Sequence, residues 1–538
     1  MKAFWTGISA VALAAGFAGP AQAEFTLNIL HINDFHSRFE SITGSDSTCN
    51  AEGETKGECF GGIARLKTAI DAKRAELTAA GEASVLLSAG DEFQGSLYYT
   101  TYKSKIVADF MNEMGFDAAA TGNHEFDDGP EEFARFIDTA TFPILGGNFN
   151  VAREPLLAGK LSGVLVLDLN GEKVGIIGAL AEDTPEISSS GPNVEFESVA
   201  AYVRGAVEGL EAEGVNKIIV LSHIGYTIDQ ALAAAVPGID VIVGGHSHTF
   251  LSSTDEKAAG PYPTLVKNPS GADVPIVQAG QYGKYLGDLK VTWDDNGAVT
   301  AAAGAPILLD ATVKPDEGFL TRVADLGNPI EEVKAKVIGT ATEAIEGSRE
   351  VCRVMECSMG NLVADAILDR VRDQGVTIAI QNGGGLRASI DAGDITMGEV
   401  LTVLPFSNTL ATFKLKGSDV VAALENGVSQ VEDGGGRFPQ VAGLKYTWTK
   451  AKPAGEGRII KVEVMDGDAW APIDPDKVYG VVTNNFMRNG GDGYAVFSGD
   501  DKDAYDFGPP LEEVLAGFIA KQGGAYTPYT DGRITEVQ

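Results

Sequence analysis

Five short stretches concentrate side chains that could do chemistry. Gly122-Asn123-His124-Glu125-Phe126-Asp127 sets an amide, an imidazole and two carboxylates within six residues. Burying such groups unpaired would cost several kcal/mol, so the stretch reads as a site rather than as core. Asp34 with His36, Gly90 with Asp91, His223, and Gly244-Gly245-His246-Ser247-His248 supply further donors. Of the six histidines in the chain, His36, His124, His223, His246 and His248 belong to these stretches. Oxygen donors mixed with imidazoles suit divalent zinc, manganese, iron or cobalt, and a carboxylate can bridge two such ions. The expectation is a pair of ions sharing Asp91. One takes Asp34, His36 and Asp91 with His248 as a possible fourth ligand, and the other takes Asp91, Asn123, His223 and His246. Two ions roughly 3.5 to 4 Å apart can clamp the attacking and leaving oxygens of an in-line phosphoryl displacement. His124 then belongs across the site over the phosphoryl or leaving oxygen, with Asp127 fixing its tautomer and favouring the imidazolium. His31 lies inside a strand and belongs to no motif, so it reads as structural.

Each stretch follows an apolar run: Leu27 to Ile32, Val85 to Ala89, Asp117 to Ala120, Ile218 to Leu221 and Val241 to Val243. Five strands are therefore expected to deliver ligands to one sheet edge, where open α/β sheets bind their ligands. Helical patterns at Ile63 to Glu76, Lys103 to Met114, Glu131 to Thr139 and Ser198 to Glu213 alternate with the strands, which argues for stacked βα units. Asp127-Asp128-Gly129-Pro130 has an acidic cap and an early proline, the form of a helix start. From Asp316 to Val337 runs a helical pattern that Gly327-Asn328-Pro329 is expected to break, read as an interdomain linker. A second unit follows, with a helix over Asn361 to Val371 and a buried strand at Thr377 to Ile380. The expected division is 24–314, a linker over 315–337, and 338–538.

At 538 residues the chain exceeds one ordinary core, and 44% hydrophobic with 22% charged residues is a globular composition. Residues 1–23 combine Lys2, an apolar stretch and Ala21-Gln22-Ala23, which reads as a cleaved secretory signal rather than a membrane anchor. No later run is long enough to span a bilayer. No cysteine follows the cleavage site and the end, Asp531 to Gln538, is polar, so a periplasmic or secreted protein without a stable membrane anchor is expected. The four cysteines fall as local pairs, Cys49 with Cys59 and Cys352 with Cys357, each able to close a loop in an oxidising compartment. A four-thiol metal site is the alternative, disfavoured because the pairs lie in different units. A net charge of −34 repels polyanions, so nucleic acid polymers are poor partners and a phosphate-bearing substrate needs local positive charge.

Asp34-Phe-His36, Gly90-Asp91, Gly122-Asn-His-Glu125, Ser222-His223 and Gly245-His-Ser-His248 resemble the blocks of the calcineurin-like metallophosphoesterases. Asn382-Gly-Gly-Gly-Leu-Arg387, Leu404-Pro-Phe406 and Asn485-Phe-Met-Arg-Asn-Gly-Gly-Asp-Gly493 narrow the resemblance to the 5′-nucleotidase family. It implies a four-layer α/β/β/α metallophosphoesterase domain joined by a helical linker to a C-terminal α/β nucleoside-binding domain. The implied activity is hydrolysis of nucleoside 5′-monophosphates with two divalent ions, zinc first, then manganese or cobalt, in a monomer or homodimer. Related activities on nucleotide sugars, nucleoside di- and triphosphates or 2′,3′-cyclic nucleotides remain alternatives, and a non-catalytic nucleotide-binding protein is a remoter one. Carried over by position, Phe406 and Phe486 stack on the base, Asn382 and Asp492 contact base or ribose, and Arg353 and Arg387 hold phosphate with Arg38 close by. His248 stands where relatives often carry asparagine or glutamine. In the family the C-terminal domain rotates to carry substrate in, with the linker as hinge.

Overall fold

A computed structural model describes residues 24–538 except 45, 47, 407, 467, 468, 500, 501, 506 and 507; the expected signal at 1–23 lies outside the described residues. Strands β1 (Phe25–Ile32), β2 (Ala83–Ser88), β3 (Ala118–Ala120) and β4 (Ile144–Leu145) are successive parallel neighbours in one sheet. A second sheet contains β5 (Val164–Leu169), β6 (Glu172–Leu180), β7 (Ile218–His223), β8 (Val241–Val243), β9 (Thr264–Lys267) and β10 (Asp273–Val277), in the order β9-β10-β8-β7-β6-β5. The chain then returns to the first sheet through β11 (Tyr285–Trp293) and β12 (Val299–Leu308), completing the order β12-β11-β1-β2-β3-β4.

Side-chain alternation in β1 explains the layering. Leu27 and Ile29 point to a core shared with Leu221, Val241 and Val243 of the second sheet. Leu30 and Ile32 point the other way, to helices α1 (Ile63–Ala80), α2 (Leu97–Tyr102), α3 (Ser104–Met114) and α4 (Gly129–Thr139). On the far side, α5 (Val199–Ala212) and α6 (Tyr226–Ala235) cover Ile177, Val220 and Ile242. The layers are thus α/β/β/α, and the inner strands are apolar on both faces because both are covered. This corrects the expectation of one sheet edge: β1, β2 and β3 bring their ligands from the first sheet, β7 and β8 from the second.

Helix α7 (Glu317–Lys334) starts at Asp316, whose carboxylate accepts from the Phe319 amide at 2.8 Å. It runs on through Gly327-Asn328-Pro329, where a break was expected. Proline removes the donor for the carbonyl four residues back, here Asp325, but Asp325 and Pro329 are both exposed, where water can satisfy that carbonyl. On the buried side, Tyr102 donates its hydroxyl to the Leu326 carbonyl at 2.8 Å and Tyr98 to the Val323 carbonyl at 3.2 Å. A Cβ on Gly327 would meet Tyr98 Oη at 2.6 Å, so the glycine permits this approach.

Beyond α7, helix α8 (Ser358–Val371) covers one face of a sheet of β13 (Val376–Asn382), β14 (Leu410–Lys416), β15 (Pro439–Ala442) and β16 (Val478–Asn484), ordered β14-β16-β13-β15. Helix α9 (Gly417–Gly427) covers the other. Cys49–Cys59 and Cys352–Cys357 are disulfides, as the local pairing suggested. Among the described residues no helix is long and apolar enough to cross a membrane.

Candidate metal centre and the cleft above it

The turn after β1 carries Asp34 and His36, and the turn after β2 carries Asp91. They are joined by backbone bonds, Asp34 N to Gly90 O and His36 N to Asp91 O, both 3.0 Å. Gly90 is required there: its φ is +88°, and a Cβ would meet the Gly122 amide nitrogen at 2.7 Å. Asp34, His36, Asp91, His246 and His248 all sit at positive φ, between 51° and 70°. For residues with side chains this costs roughly 1–2 kcal/mol each, so the folded chain holds its donors in conformations they would not choose alone.

Two groups result, Asp34-His36-Asp91-His248 and Asp91-His223-His246, with Asp91 common to both. Asn123 Oδ1 joins the second, 2.9 Å from His246 Nδ1. All seven expected ligands therefore meet. Their protons show that a cation fits. His36 and His223 hydrogen-bond through Nδ1 to the carbonyls of Phe93 (3.0 Å) and Ala89 (2.6 Å), so that in the neutral ring Nε2 carries the lone pair. His223 Nε2 lies 3.0 Å from Asp91 Oδ2, and His36 Nε2 lies 3.1 Å from His248 Nε2. Lone pairs facing one another at such distances call for positive charge between them. Burial holds His36 and His248 well below the ordinary imidazole range and His246 at about 3, so these rings are neutral and free to bind metal. Burial pulls His223 down too, but the charges of Asp91 and Asp34 outweigh it and push it up to about 10, a measure of the positive charge these carboxylates demand.

Glu125 braces the centre. Its carboxylate accepts from the amides of Gly122 (2.6 Å), Asp91 (3.1 Å), Glu92 (2.8 Å) and Phe93 (3.3 Å), tying the β2 turn to the segment after β3. His124 is different from its neighbours. Its Nδ1 meets Asp127 Oδ2 at 2.5 Å, Asp127 Oδ1 accepts from Ser188 Oγ at 2.7 Å, and Nε2 stands 4.0 Å from Asp91 Oδ2. Burial lowers the His124 pKa, yet Asp127 and Asp91 more than offset this and leave it above its ordinary value.

Above the centre lies a cavity of about 910 Å³ between the two halves of the chain. His124, Asp127, His246 and His248 line one wall; Arg349, Arg353, Asn382, Arg387, Phe406, Phe486 and Asp492 line the other. Arg387 Nη2 reaches to 3.3 Å from His36 Nε2, and Arg349 Nη1 donates to the His246 carbonyl at 3.3 Å. Burial, then Arg349 and Arg387, hold Arg353 well below the usual guanidinium range, and Arg353 Nε has no partner. Three crowded guanidiniums beside a cation site make a receptor for an anion. Phe406 stacks near-parallel to His124, with centroids 5.7 Å apart.

Residues 27–250 match the family model described as calcineurin-like phosphoesterase, and residues 337–499 that of the 5′-nucleotidase C-terminal domain. The 5′-nucleotidase of Bos taurus is 37% identical over 539 residues, covering 96% of this chain and 92% of the relative. That of Homo sapiens is 37% identical over 540 residues, with the same coverage of each. The chain belongs to the 5′-nucleotidase family. Among solved structures, the 5′-nucleotidase precursor of Thermus thermophilus superposes with a TM-score of 0.90 at 41% identity, over 95% of this chain and 99% of that one. As a member of the calcineurin-like phosphoesterases, this 5′-nucleotidase-family chain has the donor set for two divalent ions.

Two expected substrate residues are placed differently from the others. Arg38 is buried, with its guanidinium 4.6 Å from the face of Tyr282, and it is not among the residues lining the cavity. The residue before it, Ser37, takes a left-handed φ of 52°. The Asn382 amide donates to Asp492 Oδ2 at 2.6 Å and accepts from Gln381 and Asn484, both 3.0 Å, so it mainly holds Asp492 toward the cavity. Arg349 and Glu125 were not singled out as site residues. The i,i+4 spacing of Arg349 and Arg353 was the available signal for the first; the second accepts from three amides some thirty residues distant, which left none.

Proposed function

We propose that this chain hydrolyses nucleoside 5′-monophosphates such as AMP to nucleoside and inorganic phosphate, as a metal-dependent phosphoric monoester hydrolase. The observation that carries the reading is the single cleft in which a dinuclear donor set faces arginines and aromatics from the other half of the chain. Asp34, His36, Asp91 and His248 would hold one ion and Asp91, Asn123, His223 and His246 the other. When bound, the pair supplies Lewis acidity and an activated water at neutral pH, and the imidazole-rich set favours zinc over manganese or cobalt.

The chain's own groups do the rest. Arg353 and Arg387, with Arg349 beside them, bind the phosphate and neutralise its charge. His124 stands over the leaving oxygen and gives it a proton from Nε2, while Asp127 holds the ring through Nδ1 and Ser188 holds Asp127. Phe406 and Phe486 grip the base, at roughly 1–3 kcal/mol per stacked contact. Asp492, fixed by Asn382, takes the ribose or base edge. Residues 24–314 form the metal domain, 338–538 the nucleoside domain, and 315–337 the hinge between them. The disulfides support export through a signal at 1–23 to the periplasm or outside the cell, as a monomer or homodimer.

At about 910 Å³ the cavity is near the top of the usual small-molecule range, roughly 300–1,000 Å³, which leaves room for the rival substrates, nucleotide sugars and nucleoside di- or triphosphates. The test is phosphate release from AMP after chelation and again after adding back zinc, manganese or cobalt. Release that returns with a metal is the expected result. Silence with every metal in a folded sample overturns the reading.

A further inference from the structure

His248 carries its Nε2 into the first donor group, 3.1 Å from both Asp34 Oδ1 and His36 Nε2. Its other ring nitrogen points away from the cleft. Nδ1 hydrogen-bonds to Gln281 Oε1, and Gln281 Nε2 donates to Asp46 Oδ2 at 2.8 Å. These three groups allow one consistent proton arrangement. A carboxylate only accepts, so Asp46 selects the NH2 end of the Gln281 amide. The carbonyl end is thereby turned to the imidazole and must receive a proton from Nδ1, which leaves Nε2 with its lone pair. Burial raises the Asp46 pKa and Glu350 adds to the rise, while Lys284, Arg38 and the bond from Gln281 oppose it.

We infer that Asp46 and Gln281 form a positioning relay that fixes the tautomer and ring orientation of His248, so that its Nε2 serves the ion held by Asp34, His36 and Asp91. The inference rests on the metal-dependent reading above and deepens it. Both ends of the relay are tied down. The Tyr282 amide, next to Gln281, donates to the Asp34 carbonyl at 2.8 Å, and the Ala279 amide donates to Asn33 Oδ1 at 2.8 Å. Asp46 sits in a loop closed by Ile42 and Phe60, which exchange two 2.8 Å bonds, by the Cys49 amide to the Ser41 carbonyl at 2.9 Å, and by the Cys49–Cys59 disulfide. His36 and His223 are oriented by backbone carbonyls instead. The His248 arrangement therefore runs through side chains alone, and a substitution can remove it without disturbing a backbone acceptor.

The relay is tested on full-length mature protein stripped of metal and titrated with zinc against a chromophoric chelator. Wild type is expected to take up two ions. Gln281→Ala and Asp46→Ala should each weaken one ion by about 10- to 100-fold, the usual effect of losing such a partner, and leave the other unchanged. In the metal-free protein labelled with 15N-histidine, Gln281→Ala should move the His248 signals toward the Nε2-protonated tautomer. Should an alanine variant fail to fold, Asp46→Asn keeps the shape, removes the charge and reads the same affinity. Unchanged affinities for both ions and an unchanged tautomer, in variants that melt like wild type, overturn the relay alone. Failure of the wild type to bind any divalent ion overturns the metal-dependent reading and the relay with it.

Discussion

His124 is set apart from the neighbouring histidines by what its Nδ1 touches. His36 and His223 hydrogen-bond to carbonyls and stay available as ligands, whereas His124 faces the Asp127 carboxylate at 2.5 Å and holds a proton more readily than an ordinary imidazole. A proton donor to the leaving oxygen needs that bias. Replacing His124 with alanine should lower kcat by about 10²- to 10⁴-fold, the range for one general acid, with metal content unchanged. Loss of metal instead, seen by elemental analysis, would make His124 a ligand. Asp127→Asn tests the bias itself. Removing the carboxylate lowers the His124 pKa, so the protonated form is lost at lower pH and the alkaline limb of the kcat/KM profile should move down; a limb that stays in place would separate Asp127 from proton transfer. The His-x-x-Asp spacing was legible because a single turn joins the pair. Glu125 was not, since its role lies in four amides of which three belong to the β2 turn, and the direction of Arg38 follows a left-handed Ser37 that the sequence does not announce.

At the scale of elements, the strand ends were readable and the partition of strands was not. A strand covered on both faces is an uninterrupted apolar run in either sheet, so Val85 to Ala89 and Ile218 to Leu221 look alike although they belong to different layers. The positive φ at five of the donors is equally silent in the sequence, because aspartate and histidine do not announce it as glycine does. Helix α7 shows the opposite error, where a strong local signal is overruled by its surroundings. Gly327-Asn328-Pro329 reads as a break, but the carbonyls on the buried side have the Tyr98 and Tyr102 hydroxyls as partners. Tyr102→Phe removes one partner from a half-buried carbonyl and should cost about 1 kcal/mol in urea unfolding, with local hydrogen exchange in α7 rising. An unchanged midpoint and unchanged exchange would show that the proline turn needs no help from α2.

Across the whole molecule, length alone announced two cores, but nothing in the sequence showed how they meet. The residues that close the cleft are far apart in the chain, as with Arg387 against His36, and such contacts have no local signature. What the assembled molecule reveals is an imbalance. A chain of net charge −34 buries Asp34 and Asp91 at one end of its N-terminal sandwich, where the carboxylates drive both His223 and His124 toward carrying positive charge. Divalent ions bind this folded arrangement and not the unfolded chain, so they must stabilise it, by about 2.7 kcal/mol when free ion is 100 times its Kd. For a domain of roughly 290 residues that is about 4 °C in Tm for each ion. Because the donors all come from the N-terminal half, calorimetry should show the transition of that half rising with added zinc while the C-terminal transition stays. A rise shared equally by both would mean that the cleft contacts make the halves melt as one unit, and no rise at saturating zinc would mean that the buried carboxylates are balanced without metal.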